Sequence, residues 1–311
     1  MRILVAGATG AIGRPLLPLL SDAGHDVVGT TRSRDRIDRV RRLGAEPAVL
    51  DGGDVDAIGA LVADLKPDVV INQLTDLPER IDLRKTRESL ATTTQLRARA
   101  GPALARAAAA AGVRRLISQG QAFSYAPEGD WVKSEEAPLR RASGPAEGDP
   151  LAALHALERA TLETPGLDGV MLRYGFFYGP GTYYARDGST ARDVLARRYP
   201  IVGKGSGVFS FIHVDDAAAA TAAAAERGGP GAYNVVDDDP APLSGWLPFY
   251  AEVLGAKKPR RVPLWMARLV AGPAAVAALD LRGASNAKAK RELGWSPRYP
   301  SWRQGFREAL G

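Results

Sequence analysis

Short apolar runs alternate with amphipathic segments along the first 175 residues, and this alternation constrains the fold more than any other feature. Runs such as MRILVAG at 1–7 and DVVINQL at 68–74 are typical of buried strands, and the segments between such runs space their apolar residues as helices do. Strand–helix alternation of this kind predicts an α/β fold with a doubly wound parallel sheet and right-handed crossovers.

A glycine-rich turn follows the first apolar run, in the stretch VAGATGAIGRPLL at 5–17. In a strand–turn–helix unit, Gly7 permits the tight turn, Gly10 leaves the backbone open to a pyrophosphate, and Gly13 lets the helix pack close to the sheet. The helix N-terminus adds unpaired amides and the positive end of the helix dipole. The alternative is a plain strand–turn–helix. The predicted phosphate contacts are Gly7, Thr9, Gly10, Ala11, Ile12 and Gly13.

The end of the second predicted strand indicates which dinucleotide would fit. NAD sites commonly place a carboxylate there for the ribose 2′-hydroxyl, whereas this sequence has Thr31, Arg32, Ser33 and Arg34. Guanidinium and hydroxyl groups suit a 2′-phosphate, so NADP(H) is predicted over NAD(H); a solvated basic loop is the alternative. Asp51, after the third strand, is a candidate for the adenine amino group or, alternatively, a helix cap.

The composition excludes several classes of site. The chain has no cysteine, which rules out disulfides, thiol nucleophiles and cysteine-ligated zinc. Its three histidines, His25, His155 and His213, stand far apart, so no metal site is predicted. The net charge of +6 comes from scattered arginines, which favours small anionic ligands over nucleic acid.

The sequence also bears on location and domain organisation. No run reaches the ~18–20 apolar residues that span a membrane, and no signal peptide is visible, so a cytoplasmic protein is expected. The apolar stretch 265–281 is predicted to be a buried helix pair or a lid over an apolar pocket. The regular alternation predicts a Rossmann-type NADP(H)-binding domain over 1–175. Residues 176–311 are predicted to form mainly a smaller substrate-binding lobe, with 208–240 returning to the sheet.

Several motifs together resemble the extended or atypical short-chain dehydrogenase/reductases, the NAD-dependent epimerase/dehydratase family. They are GATGAIG at 7–13, GVRRLISQG at 112–120, LRYGFFYGPG at 172–181, FIHVDDAAAA at 211–220 and RELGWSPRYPSWRQGF at 291–306. The resemblance implies a cofactor cleft and hydride transfer, giving reduction, oxidation or epimerisation. Four further cofactor contacts are predicted in it: Gln73, Leu74, Gln119 and Tyr174.

The catalytic residues of that family are not matched. The resemblance implies a serine or threonine with a Tyr-x-x-x-Lys pair, but the corresponding helix, DPLAALHALERATLE at 149–163, has neither tyrosine nor lysine. Pro150 falls near the tyrosine position and Leu154 near the lysine position. A slipped register would place His155 and Arg159 there instead, unless these are surface residues of an amphipathic helix.

Other groups are therefore candidates for moving a proton. The family's serine position falls near Gln119, which has no hydroxyl. Tyr125 follows the fifth strand, and the resemblance places Tyr178 in the loop that passes close to the nicotinamide. Tyr125, His155 and Tyr178 are the catalytic candidates, each with the alternative that it only lines the pocket.

The sequence thus predicts an NADP(H)-binding oxidoreductase or epimerase, with an atypical active site, acting on a small and fairly apolar carbonyl or hydroxyl substrate. Two alternatives stay open: a redox-inactive NADP(H) sensor, and an enzyme of the same fold performing isomerisation or cyclisation. The expected partner is a small-molecule substrate, and the family resemblance implies a homodimer through helices 90–111 and 151–163.

Overall fold

The computed structural model describes residues 1–271 and 277–310. The strands in chain order are β1 Arg2–Ala6, β2 Asp26–Thr31, β3 Glu46–Val49, β4 Val69–Asn72, β5 Arg115–Gln121, β6 Val132–Lys133, β7 Asp168–Tyr174, β8 Phe176–Tyr178, β9 Ile201–Val202, β10 Val208–Phe209, β11 Phe211–His213, β12 Gly231–Val235, β13 Ala241–Pro242, β14 Arg261–Val262 and β15 Gly283–Ala284. The α-helices are α1 Gly13–Asp22, α2 Ile37–Arg42, α3 Val55–Leu65, α4 Thr86–Ser89, α5 Ala91–Gln95, α6 Gly101–Ala110, α7 Pro150–Glu163, α8 Ser189–Leu195, α9 Val214–Glu226, α10 Leu243–Val253, α11 Leu264–Ala271, α12 Ala287–Leu293 and α13 Trp302–Leu310. Short 3-10 turns cover Arg34–Arg36, Leu83–Lys85 and Ala278–Asp280, and the π-helical segment Leu96–Ala100 joins α5 to α6.

Seven strands form one parallel sheet in the order β12, β7, β5, β4, β1, β2, β3. The chain builds outward from β1 in one direction and then from β4 in the other, so a crevice opens at the carboxyl ends of β1 and β4. The apolar runs that predict β1 and β4 are buried in the centre of the sheet. The predicted Rossmann-type α/β fold is confirmed.

Helices cover both faces of the sheet. On one face α1 packs against α9, and on the other α3 packs against α6 and α6 against α7. The first face carries the cluster that includes Leu16, Leu17 and Ala217; the second carries the cluster that includes Ile58 and Leu104. This burial is the main source of the fold's stability, because removing apolar surface from water contributes about 25 cal/mol per Å².

Side chains fix where several helices begin. Asp54 caps α3 by accepting from the amide of Ala57 at 2.9 Å, as its position before an apolar run predicts. His213 caps α9, because its Nδ1 accepts from the amide of Asp215 at 3.2 Å. The buried Asp216 instead accepts two backbone amides of the C-terminal tail and so ties that tail to the sheet.

The C-terminal part of the chain builds a second, aromatic core. Short strand pairs β8–β11, β9–β14 and β10–β13 surround α10 and α13. Trp246, Trp302 and Phe306 are fully buried in this core. The Phe176 ring lies in the same aromatic group, and Phe123, which follows β5, stacks on it with ring centroids 4.3 Å apart. The carboxyl edge of the sheet is thereby joined to the lobe.

Two predicted segments have different outcomes in the structure. The helix expected over 90–111 contains the π-helical segment Leu96–Ala100, which ends directly before Gly101. The stretch 265–281 was expected to be buried, but on α11 the side chains of Trp265 and Leu269 are 63% and 77% exposed. Residues 272–276 of that stretch lie outside the described residues.

The strand β3 ends the sheet on one side. It has four residues, pairs with β2 alone among the strands of the described residues, and contains Pro47 opposite Gly29. Proline lacks a backbone donor, so it is tolerated in an edge strand but not in a central one.

Candidate active site

The glycine loop has a backbone that only glycine fits. Gly7 has φ +89°, and a Cβ there would come within 2.7 Å of the carbonyl oxygen of Gln73. Its amide donates to Thr30 Oγ1 at 3.1 Å, and the next amide, of Ala8, donates to the carbonyl of Thr30. The turn is therefore locked between the ends of β2 and β4.

The loop presents free amides where α1 begins. Within the described part of the chain, the amides of Thr9, Ala11, Ile12 and Gly13 have no hydrogen-bond acceptor, and Ile12 supplies no side-chain cap. A Cβ on Gly13 would meet the Ala8 carbonyl at 2.4 Å, so glycine is required for this close packing. Unpaired amides at a helix N-terminus bind anions, and these residues fit the phosphates of a dinucleotide.

The basic residues after β2 are placed at the rim of the same cleft. Arg32 forms a bidentate ion pair with Asp76, its Nη1 and Nη2 lying 3.1 and 3.0 Å from the two carboxylate oxygens. Arg34 is exposed, and Thr31 exchanges hydrogen bonds with the backbone of Ser33. The guanidinium predicted to meet a 2′-phosphate thus already holds a carboxylate from the loop after β4.

The remaining predicted cofactor contacts occupy different environments. Asp51 accepts the amide of Gly53 at 2.9 Å in the turn before α3, and the helix cap that was its alternative role is supplied by Asp54. Leu74 is partly exposed beside the glycine loop, and Gln119 is half-buried within β5. Tyr174 is 1% exposed, and its Oη pairs with Gln73 Nε2 at 3.0 Å and with Thr221 Oγ1 at 2.6 Å. Direct cofactor contact by Tyr174 is therefore disfavoured; it holds Gln73 in place instead.

Helix α7 has apolar groups where the family's tyrosine and lysine are expected. Pro150 opens the helix after the capping Asp149, and Leu154 is buried. His155 is half-buried; burial lowers its pKa, and its Nε2 has no partner among residues 1–271 and 277–310. Arg159 is exposed. The sheet-facing positions of α7 thus carry no proton-transfer pair.

The two tyrosines predicted to be catalytic lie in packed interiors. Tyr125 is fully buried; its Oη donates to Asn234 Oδ1 at 2.7 Å and accepts from Arg173 Nη1 at 2.9 Å. Burial raises the pKa of Tyr125, against the opposing effect of Arg173. Tyr178 is equally buried in the aromatic lobe beside Phe306, and burial raises its pKa strongly. These surroundings disfavour both as proton donors.

Two arginines at the sheet edge were not predicted from the sequence. Arg97, in the π-helical segment, buries a guanidinium next to Gln121. Arg14 bridges the glycine loop and the loop after β8, through the carbonyls of Gly10 and Pro180. The available signal for Arg97 was its position on the otherwise small, apolar face of the 90–111 helix.

The described residues contain neither a membrane-spanning helix nor a metal-binding cluster. No helix among them is both long and apolar enough to cross a bilayer. No cluster of three or more histidine, aspartate or glutamate side chains in 1–271 and 277–310 is arranged to hold a metal ion.

The sheet, the glycine turn and its free amides define a dinucleotide-binding protein of the Rossmann type. The chain belongs to the NAD-dependent epimerase/dehydratase family, whose model matches residues 3–235. It is 44% identical over 308 residues to a 3-diazoavenalumate denitrifying reductase from a Streptomyces species, with 98% of this chain and 99% of that protein covered.

Solved structures of the family share the fold at lower identity. The UDP-glucose 4-epimerase of Thermotoga maritima, solved with UDP-glucose, has a TM-score of 0.75 at 21% identity, covering 100% of this chain and 97% of the epimerase. The dTDP-glucose 4,6-dehydratase of Streptomyces venezuelae, solved with NAD, has a TM-score of 0.75 at 20% identity, covering 100% of this chain and 96% of the dehydratase.

Proposed function

We propose that this protein is a nicotinamide-dependent reductase of arenediazonium acids, which replaces a diazo group by hydrogen and releases dinitrogen. The observation that carries the proposal is an intact glycine cradle beside a helix α7 that has Pro150 and Leu154 where a proton-donating pair is expected. The 44%-identical relative is a denitrifying reductase of a diazo compound, which supports the same chemistry here.

The chemistry explains why a tyrosine–lysine pair is dispensable. Reduction of a carbonyl leaves an alkoxide, which needs a proton from the enzyme. In a diazonium ion, the C–N bond breaks with its electron pair leaving in dinitrogen, and a hydride forms the new C–H bond. The products are a neutral arene carbon and a neutral gas, so no oxyanion forms and no proton is transferred. What the chain must supply is orientation and exclusion of water, because water converts the same ion to a phenol.

The residues of the cradle would hold the cofactor. The free amides of Thr9, Ala11, Ile12 and Gly13 suit the pyrophosphate, and Arg32 and Arg34 suit a 2′-phosphate, so NADP(H) is the preferred dinucleotide. When bound, the nicotinamide supplies the hydride. The stacked rings of Phe123 and Phe176 offer an aromatic surface to the arene.

The proposal is tested with 4-carboxybenzenediazonium and either NADPH or NADH. The expected product is benzoate, with deuterium at the 4-position when 4-deuterated NADPH of the correct face is used, and NADPH is expected to be the better donor. Buffer containing NADPH without protein measures the uncatalysed reaction. Protein-dependent benzoate is required; 4-hydroxybenzoate alone, or benzoate at the uncatalysed rate, refutes the proposal.

Two glycine variants separate the cofactor site from general damage. Gly10→Ala adds a methyl group at the exposed turn that faces the phosphates and is expected to abolish benzoate formation. Gly59→Ala is the matched control, because a Cβ at Gly59 meets nothing within 4 Å. NADPH binding without turnover of the diazonium or of carbonyl compounds would favour the redox-inactive sensor instead.

A further inference from the structure

Arg97 is a buried cation without a neutralising group. It lies in the π-helical segment Leu96–Ala100, is 5% exposed, and forms no ion pair with any side chain in the described ranges. Burial alone lowers its pKa to about 10, so the guanidinium stays charged at neutral pH. Burying an unpaired charge is strongly unfavourable unless a partner compensates it.

Among residues 1–271 and 277–310, the hydrogen-bond partner of the guanidinium is the neutral side chain of Gln121. The carboxamide oxygen of Gln121 accepts from both Nη1 and Nη2 of Arg97, at 3.2 Å each, while the other carboxamide atom lies 3.3 Å from Ser124 Oγ. A carboxamide orients a guanidinium but does not neutralise it, and a guanidinium carries five N–H donors. Gln121 is half-buried, so part of this residue is accessible to solvent.

A chain of contacts connects this pair to the cofactor cradle. Gln121 is the last residue of β5 and pairs in register with Tyr174 of β7. The Tyr174 hydroxyl bonds to Gln73, and the carbonyl of Gln73 lies against Gly7. The cation thus stands at the same carboxyl edge of the sheet as the glycine loop. Single π-helical turns are found often at functional sites.

We propose that Arg97, oriented by Gln121, binds an anionic oxygen of the acceptor substrate, a carboxylate or a phenolate. The bound oxygen supplies the missing charge, and the guanidinium fork gives it a fixed direction. The stacked Phe123 ring follows Gln121 by two residues, so the anion and the arene would be held side by side. The anion site at Arg97 does not depend on the proposed reductase function. Only the identification of its ligand as the substrate rests on that function.

The test measures binding to the full chain saturated with NADP+, without turnover, at pH 8. For the carboxylate, calorimetry compares 4-hydroxybenzoate with 4-hydroxybenzamide; for the phenolate, it compares 4-nitrophenolate with 4-nitroanisole. Wild type is expected to prefer the anion of one pair by about tenfold or more, and the pair that discriminates identifies the oxygen. Arg97→Gln is expected to reduce this preference below about twofold and to leave NADP+ affinity unchanged.

Matched variants keep the result interpretable. Arg99→Gln removes an exposed charge from the same π-helical segment and is expected to retain the wild-type preference. If Arg97→Gln does not fold, Gln121→Leu replaces it, and the preference is expected to fall because the guanidinium loses its fixed direction. The inference is overturned if wild type does not discriminate, or if the preference survives in the folded Arg97 or Gln121 variant.

The experiments distinguish failure of the anion-site proposal from failure of the proposed reductase function. If the protein shows an anion preference that depends on Arg97 but does not reduce diazonium salts, the anion site is supported and the reductase proposal is refuted. If Arg97→Gln reduces diazonium salts at the wild-type rate and neither protein prefers the anion, the reductase proposal is supported and the anion site is refuted.

Discussion

The ion pair between Arg32 and Asp76 predicts that one substitution tightens NADPH binding. The pair is bidentate but partly exposed, with side-chain exposures of 58% and 35%, and such pairs contribute about 0.2–1 kcal/mol. Arg32 must leave or share this partner to meet a 2′-phosphate. Asp76→Asn removes that competition and a negative charge near the phosphate, so NADPH affinity should rise by up to about fivefold, the equivalent of about 1 kcal/mol.

The assay compares dissociation constants for NADPH and NADH by calorimetry at one salt concentration. NADH has no 2′-phosphate, so Asp76→Asn should change its affinity less than about twofold. Arg32→Gln should weaken NADPH by roughly tenfold or more and leave NADH unchanged. Asp168→Asn is the control, because it removes an equal charge at the amino-terminal end of β7. Equal changes for both cofactors in Asp76→Asn, or weaker NADPH binding, would refute the reasoning.

Three further predictions concern the loop, a buried tyrosine and a helix cap. Gly7→Ala should lower the free energy of unfolding, measured in urea, by about 1–2 kcal/mol or more, because Gly7 has a positive φ. Gly10→Ala should leave the free energy of unfolding near the wild-type value and weaken NADPH binding. Tyr125→Phe should lower the free energy of unfolding by about 1–3 kcal/mol and leave kcat unchanged; a large loss of kcat with normal stability would restore its catalytic role. Desolvation acts to raise the pKa of Asp149, but hydrogen bonds led by Ser143 outweigh it and lower that pKa to about 2, below the ordinary 3.8. The folded-state pKa is the lower one, so the stability difference between wild type and Asp149→Asn should be complete above about pH 5 and shrink as the pH falls toward 2. Chemical denaturation across that pH range measures the difference, and a difference that does not change with pH contradicts the assignment.

Local pattern determined what the sequence could predict of the fold. Strands such as β1 and β4 are buried on both sides, so their residues form continuous apolar runs that are visible without any tertiary information. Asp54 before α3 is a similarly local feature. The exposed face of α11 was misjudged because apolar composition does not show which neighbours a helix has.

The site was predictable only where its chemistry is carried by the backbone. Gly7 and Gly13 are required by backbone approaches within a few residues or across adjacent strands, which the motif itself encodes. The pairing of Arg32 with Asp76 joins positions 44 residues apart. The burial of Tyr125 against Asn234 joins positions 109 apart. Partners at such distances depend on the folded topology, so the roles of these side chains could not be deduced from local sequence.

The short edge strand β3 has a consequence for self-association. Long, unpaired strand edges invite a second chain to extend the sheet, and a short strand containing proline is a poor template for this. An added strand would meet four residues, one of them Pro47 without an amide donor. Continuous sheets across two copies are therefore disfavoured on this side, and pairing of copies is expected to use helical surfaces, such as those of α6 and α7.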